Sequence, residues 1–371
     1  MKCPAAGLRY LILGVLIVVS ACTAALPPTE VPPTETPPTT QIVVEDALGR
    51  TVTLDGPPER MVIAGKANFM LNDAIYTFPD AADRVVALTQ ARQTTAPFLS
   101  FLDPGFDGKL LFTVESTAEE IATAQPDLVF LKRMMQESVG NSLEAVGIPV
   151  VYLDLETPEQ YQRDLAVLGK IFSNPERAEM TQRFYQTRMD RIADGLADLD
   201  ESRRPSVLVV QYSVKGEEVA LEVPPASWIQ TRMVELSSGN AIWSEASQGG
   251  WTVVNLEQIA AWDPDLIFVI SYFENVDDVV ARLTTDPNWQ GLMAVQQDKV
   301  FAFPADFYSW DQPDTRWILG LTWMATRIHP QQFSDIDMGE EIGAFYGELY
   351  GLDKATVEAE VLPLLVGDVA P

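Results

Sequence analysis

The sequence predicts an α/β protein of two doubly wound, Rossmann-like lobes joined by a single long helix. Three observations carry this. A twelve-residue phrase occurs twice, as Glu-Glu-Ile-Ala-Thr-Ala-Gln-Pro-Asp-Leu-Val-Phe over 119–130 and as Glu-Gln-Ile-Ala-Ala-Trp-Asp-Pro-Asp-Leu-Ile-Phe over 257–268. Each copy has a helical half, a proline that stops it, and a β-branched and aromatic run suited to a buried parallel strand. Strand and helix patterns alternate around both copies. Between them lies a charged stretch with no strand signal. Two copies of one unit imply two lobes built alike.

The chain begins with a segment outside the fold. Lys2 and Arg9 precede an apolar run over 10–19, and Val19-Ser20-Ala21 leads into Cys22. A basic start, a short apolar run and small residues describe a secretion signal, expected to span residues 1–21. Small residues directly before a cysteine resemble the bacterial lipoprotein signal, which implies cleavage before Cys22 and lipidation of its thiol. Cys3 leaves with the signal, so the mature domain has no free thiol to form disulfides or bind metal. Residues 22–41 form the expected tether: Pro-Pro-Thr recurs at 27–29, 32–34 and 37–39. Such a segment favours an extended polyproline conformation rising about 3.1 Å per residue.

The first lobe is expected over 42–174. Its strands are read at 60–64, 85–88, 128–131 and 148–153, with a helix from about Asn68. From 158 the pattern turns long, charged and helical, with a break at Ser173-Asn174-Pro175. The connecting helix is placed at 175–203, ended by Arg203-Arg204-Pro205. A helix of roughly 24 residues spans about 36 Å at 1.5 Å per residue and would act as a stiff strut. The second lobe is placed at 204–371. It has strands at 207–212, 266–270 and 300–303, a helix at 317–328, and an acidic C-terminal tail with a further helix near 339–349.

Composition excludes several functions. A net charge of −28 provides no basic face for nucleic acid or for anionic lipid head groups. The single histidine, His329, stands at a helix end before Pro330 and is read as a structural residue. With no histidine cluster and no thiol in the mature domain, a zinc or copper site lacks its usual ligands. No nucleophile elbow, His-Glu metal helix or phosphate-cradling glycine loop is present, so the chain is read as a non-enzyme without a cofactor. A carboxylate-pair hydrolase is the remaining enzymatic alternative.

From Ile42 to Pro330 the chain resembles the substrate-binding lipoproteins of ATP-driven importers for ferric siderophores, haem and cobalamin. The resemblance rests on Asp46-Ala47-Leu48-Gly49-Arg50-Thr51-Val52, on the twin phrases and on the long helix. It rests also on Trp289-Gln290-Gly291-Leu292, Ala294-Val295, Lys299-Val300-Phe301 and Gly320-Leu321-Thr322-Trp323. It implies a monomer that captures a small metal chelate, a ferric siderophore or corrinoid-like ligand, and delivers it to a permease dimer. It also implies that one exposed glutamate per lobe docks on permease arginines. The matching positions are Glu119 and Glu257, each seven residues before the proline of its phrase.

Ligands of open α/β sheets bind beyond the carboxyl ends of the strands. Those ends give Lys66, Arg92, Lys132 and Arg133 in the first lobe. In the second lobe they give Tyr212, Lys215, Tyr272, Phe273 and the aromatic loop 305–311 with Asp306, Tyr308 and Trp310; Trp228 lies in another cleft loop. Cations on one wall and aromatic faces on the other would suit an anionic or chelated ligand. Trp317 and Trp323 are expected in the core. A bare oxyanion such as molybdate and a sensory or scaffold role on the same fold remain alternatives.

Overall fold

The computed structural model describes residues 41–90, 98–200, 204–216, 218–247 and 249–369. The signal segment, Cys22, the tether through Thr40 and Arg92 lie outside the described residues, as does the side chain of Lys215.

A hairpin of β1 (Ile42–Glu45) and β2 (Thr51–Leu54) opens the fold. Asp46 closes its turn by accepting the backbone N–H groups of Leu48 and Arg50, at 2.9 and 3.2 Å. The Arg50 guanidinium then bridges Asp46 and Glu144. The first sheet follows, with β3 (Met61–Ala64), β4 (Val85–Thr89), β5 (Leu110–Phe112), β6 (Leu128–Lys132) and β7 (Val150–Leu153). All four pairings are parallel, in the order β5-β4-β3-β6-β7. Every residue of β3, β6 and β7 is buried, as the apolar runs of β3, β7 and Leu128 to Leu131 require of strands covered on both faces. Winding reverses between β3 and β6, and a doubly wound sheet opens a crevice at that reversal.

The second sheet contains β8 (Ser206–Lys215), β9 (Glu218–Val223), β10 (Asn240–Ala241), β11 (Thr252–Val254), β12 (Leu266–Ile270) and β13 (Val300–Ala302). Its order is β11-β9-β8-β12-β13, with β10 also on β8. The β10, β8, β12 and β13 pairings are parallel, whereas β8–β9 and β9–β11 are antiparallel. This lobe therefore departs from a purely parallel, doubly wound sheet. The strand expected to end at Tyr212 runs on to Lys215 and turns back at Gly216, whose φ of 73° suits glycine. Tyr212 and Lys215 consequently belong to a hairpin and not to a strand mouth.

The repeated phrase folds the same way twice. Helix Ala118–Ala122 is capped by a Thr117–Glu120 capping box, and helix Leu256–Trp262 by an Asn255–Gln258 capping box. Gln125 and Asp263, each just before a proline, take left-handed φ values of 51° and 40°. Proline's ring disfavours the right-handed helical region for its predecessor, so both helices end there. The phrases then feed β6 and β12.

Helices Pro158–Ile171 and Pro175–Gly195 lie between the sheets, broken at Ser173 as the sequence suggests. Asn174 caps the second, and a Cβ on Gly169 would fall 2.6 Å from that of Ala178, so the two helices meet tightly there. The connecting helix has 21 residues, a span of about 32 Å.

The C-terminal segment is not a free acidic tail. Helix Met338–Tyr350 packs against the connecting helix, where Arg188 meets Glu341 at 2.7 Å and Arg191 meets Asp335 at 2.9 Å. Arg177 donates to the carbonyls of Thr77, Glu348 and Leu349, joining the first lobe to the C-terminal helix. Beyond it, Val366 bridges Ala305, and Asp368 accepts the Ala302 amide at 2.6 Å, covering the edge of β13. Glu341 and Asp335 are thus paired with arginines, and Asp368 accepts a backbone donor of the fold.

Candidate functional site: an aromatic cleft with a glutamine floor

The carboxyl ends of the first sheet build one wall of a cleft of about 500 Å³. Gly65 and Ala67 both adopt left-handed conformations after β3, turning the chain into helix Asn68–Ile75. Thr89, at the end of β4, fixes that turn: its hydroxyl accepts the Gly65 amide and its carbonyl accepts the Asn68 side chain. Asn68, Phe69 and Met70 thereby reach the cleft; Val114, Met134 and Glu156 join them after β5, β6 and β7.

The second lobe supplies the opposite wall. Trp228, Trp251 and Tyr272 form a row with edge-on packing at 5.6 and 6.3 Å between centroids. Gln230 and Gln312 complete the floor. Beneath it lies Asp311, fully buried, whose Oδ1 accepts the Ser309 hydroxyl at 2.6 Å. Its Oδ2 accepts Gln230 Nε2 at 2.9 Å and the Tyr272 hydroxyl at 2.7 Å. Burial lifts Asp311 to about 6, against the lowering effect of those three donors. Burial, together with the nearby Asp311 carboxylate, pushes the Tyr272 phenol well above its usual range, so it stays a donor at neutral pH.

Behind the cleft the lobes meet in a buried charge cluster. Arg316 pairs with Asp306 at 2.6 Å, with Asp314 at 3.2 Å and with Asp73 of the first lobe, all without solvent exposure of the side chains. Tyr346 donates to Asp306 at 2.6 Å.

A family model described as Periplasmic binding protein matches residues 73–307. The chain belongs to that family. Periplasmic binding proteins act outside the cytoplasm as solute carriers, which is the class of work this chain does. Among curated relatives, the molybdate-binding protein MolA of Haemophilus influenzae is 22% identical over 253 residues, covering 62% of this chain and 69% of the relative. A vitamin B12-binding protein of Yersinia pseudotuberculosis is 25% identical over 232 residues, covering 58% and 80%. Among solved structures, a periplasmic solute binding protein from Veillonella parvula superposes with a TM-score of 0.70 at 24% identity, over 86% of this chain and 96% of that one. The molybdate-bound MolA structure gives 0.68 at 20% identity, over 84% and 98%.

Against this periplasmic-binding-protein framework, the residues expected at the site separate. Trp228 and Tyr272 line the cleft. Lys66 does not: it is exposed in a separate groove with Glu115, Ser116 and Glu119. Arg133 is exposed on the turn after β6, where its neighbour Met134 takes the cleft position. Lys132 is buried, bound to the Asp154 carbonyl and paired with Glu156 at 2.5 Å, so its charge is already neutralised. Tyr212 sits in the β8–β9 hairpin under the Arg282 guanidinium, 5.2 Å from its ring centroid. The expectation of a cationic wall is therefore not met among the described residues.

Loop 305–311 is also corrected. Trp310 is fully buried, its indole N–H donating to Asp306 at 3.0 Å, so it is framework and not a cleft face. Tyr308 is buried against Phe69, ring centroids 5.0 Å apart, and lines a smaller neighbouring cavity with the exposed Phe273. The loop wraps the charge cluster, which is why its aromatics turn inward. Trp317 and Trp323 are in the core. Sequence reasoning missed Phe69, Trp251, Gln230 and Gln312. Only Trp251, following Gly249-Gly250, carried a local sign of a loop aromatic.

Glu119 and Glu257 occupy the same second position of their capped helices, and both are exposed. Among the described residues no group of three or more His, Cys, Asp or Glu side chains is placed to hold a metal ion, and no helix is long and apolar enough to cross a membrane.

Proposed function

We propose that this periplasmic binding protein is an extracytoplasmic lipoprotein that captures an organic metal chelate and delivers it to the permease of an ATP-driven importer. The cleft carries this reading. Its described lining is mostly aromatic and aliphatic, with two methionines, two indole N–H groups and polar side chains at Asn68, Glu156, Tyr272, Gln230 and Gln312. Such a surface suits the organic shell of a chelate better than a naked ion. Vitamin B12-binding proteins among the relatives favour the same class. Lipidation of Cys22 would hold the protein at the membrane. Glu119 and Glu257 would dock one lobe each on a two-fold permease, through bidentate bonds to arginine.

Likeness to MolA favours a second reading, capture of molybdate. Against it stands the lining, which offers no lysine or arginine among the described residues.

Trp228 and Trp251 make the cleft self-reporting. Titration of the intact protein with ferric siderophores, haem, corrinoids and molybdate should change tryptophan fluorescence and raise the melting temperature for at least one chelate. Native mass spectrometry of protein from its own host should find the same class co-purified. Silence across the panel, with no co-purified molecule, rejects the reading.

A further inference from the structure

The first-lobe wall of the cleft carries the most exposed thioether among the described residues. Met134 is 66% exposed and lines the cleft together with Met70. It also lines the neighbouring groove that holds Lys66, so it divides two open spaces and can be approached from both. The repeat sets its place: Met134 and Tyr272 each stand four residues past their copy of the repeated phrase, and both reach the cleft. Tyr272 is pinned there by its hydroxyl on Asp311. Met134 ends instead in a flexible, unbranched thioether.

Sulfur chemistry in the folded domain falls to the thioethers, because neither cysteine lies within residues 42–371. Exposure and pairing rank them. Met61, Met135, Met233, Met324 and Met338 are buried, and Met189 is half-buried. Met70 is half-buried too, and its sulfur accepts from Lys132 Nζ at 3.5 Å, which draws on the lone pair an oxidant needs. The Met180 sulfur accepts from Arg177 at 3.9 Å in the same way. Among the described methionines only Met134 and Met293 are exposed. Met293, 40% exposed, opens the short helix Met293–Gln296 and does not line the cleft.

We propose that Met134 is a site of oxidative modification by hydroperoxides, and that its sulfoxide weakens ligand capture. This rests on the solute-binding function above and adds a control to it. The sulfur lone pair attacks one oxygen of hydrogen peroxide, so that an S–O bond forms as the O–O bond breaks. The departing hydroxide takes the remaining proton and becomes water; sulfur loses two electrons and the peroxide gains them. The product is polar and chiral where an apolar group stood. Its oxygen either keeps its hydration and holds the ligand off the wall, or loses it without a partner, and both cost affinity.

The test treats the intact protein with graded hydrogen peroxide and follows each methionine by peptide mass mapping. Cyanocobalamin, ferrichrome and haemin are the binding probes, read by calorimetry. Met134 and Met293 should gain oxygen ahead of the half-buried and buried methionines. A probe that binds the untreated protein should bind at least about fivefold more weakly once Met134 is oxidised. Methionine sulfoxide reductases for both epimers, with dithiothreitol, should restore the affinity. Met134→Leu, a swap of similar volume, should bind within about twofold of wild type and be insensitive to peroxide. Met293→Leu should remain sensitive, and Met134→Gln should bind weakly without peroxide. Met134 is exposed, so unchanged melting temperatures should show both of its variants folded. Oxidation of Met134 no faster than of Met70 or Met189 overturns the inference and leaves the carrier function standing. So does unchanged affinity with Met134 fully oxidised, or a Met134→Leu protein that still loses affinity in peroxide. Binding by none of the probes removes the chelate-carrier function itself, and the inference with it.

Discussion

Asp73 and Arg316, one from each lobe, form an ion pair from which solvent is fully excluded. Asp73 lies on helix Asn68–Ile75, whose first turn walls the cleft, and Arg316 lies four residues beyond Gln312 on its floor. The pair therefore ties the two sides of the ligand site together from behind. Phe98 stacks on the guanidinium, 4.4 Å from its carbon to the ring centroid, and Tyr346 of the C-terminal helix closes the other side. With one connecting helix and this buried tie, the lobes are built for small rocking motions and not for wide hinge opening.

Removing the cation should be far worse than removing one anion. Arg316→Met leaves Asp73, Asp306 and Asp314 buried without their shared partner, and losing one member of a buried ion pair costs about 3–5 kcal/mol. Asp73→Asn keeps a hydrogen-bonding group and leaves Arg316 two carboxylates, so it should cost less than half as much. Urea denaturation of the folded domain measures both. Equal effects would show that Arg316 does not hold the cluster.

The same burial sets a pH dependence. Burial raises Asp73 and Asp311 to about 6 and Asp314 well above the usual carboxylate range. A folded state with raised carboxyl values holds more protons than the unfolded chain between about pH 4 and 6, so stability falls as pH rises through that window. For Asp311 alone, a move from 3.8 to about 6 corresponds to about 3 kcal/mol. Lowered values at the exposed Asp335, Asp353 and Glu159 oppose this only weakly. Burial also lowers the His329 imidazole, which opposes it below about pH 6.5, but that is one group against three fully buried carboxyls. The urea midpoint should be higher at pH 5 than at pH 7.5, and Asp311→Asn should flatten the slope. A midpoint that climbs from pH 5 to 7.5 contradicts the assignment.

Asp127 and Asp265 hold equivalent places in the repeated phrase and do the same work. Asp127 accepts the Glu59 and Arg60 amides at 2.7 and 2.9 Å, anchoring the approach to β3. Asp265 accepts the Ser206 amide and hydroxyl at 2.7 and 2.8 Å, anchoring the start of β8. Each backbone N–H also returns a bond to the same neighbour, Asp127 to the Arg60 carbonyl and Asp265 to that of Ser206. Alanine at either position should cost about 1–3 kcal/mol, the usual range for hydrogen bonds to a charged group. Chemical denaturation of the two variants should give losses within a factor of two of each other; a cost confined to one lobe would deny the equivalence.

What the sequence made legible is what local rules govern. Capping boxes, a left-handed residue before proline and an unbroken apolar strand are all set within about ten residues, so both copies of the phrase and the break at Ser173 could be read directly. The cleft is set by long-range burial. Lys132 and Arg133 share a strand mouth, yet one is sealed against Glu156 and the other turned to solvent, and nothing adjacent in the chain distinguishes them. Trp310 and Trp251 are both loop tryptophans. Only the distant partner Arg316, holding Asp306, explains why the first is internal and the second faces the ligand space. The β8–β9 hairpin was hidden because Val207 to Lys215 reads equally well as a strand that ends early or one that folds back.

The docking role proposed for Glu119 and Glu257 separates cleanly from ligand capture. Both sit at the second position of short capped helices, one per lobe, and neither is among the residues that line the cleft. Replacing both by Ala removes two exposed carboxylates that favour a helix N-terminus by only about 0.3–1 kcal/mol each, so the protein should stay folded. Chelate affinity measured by fluorescence should be unchanged in the double variant. Uptake by cells carrying it, or transport into vesicles holding the cognate permease, should fall at least tenfold, with each single variant intermediate. Reversing both to Arg should abolish transport, because like charges would then face the permease arginines. Full transport by the double alanine variant would leave these glutamates as ordinary solvated helix residues and place the permease contact elsewhere on the two lobes.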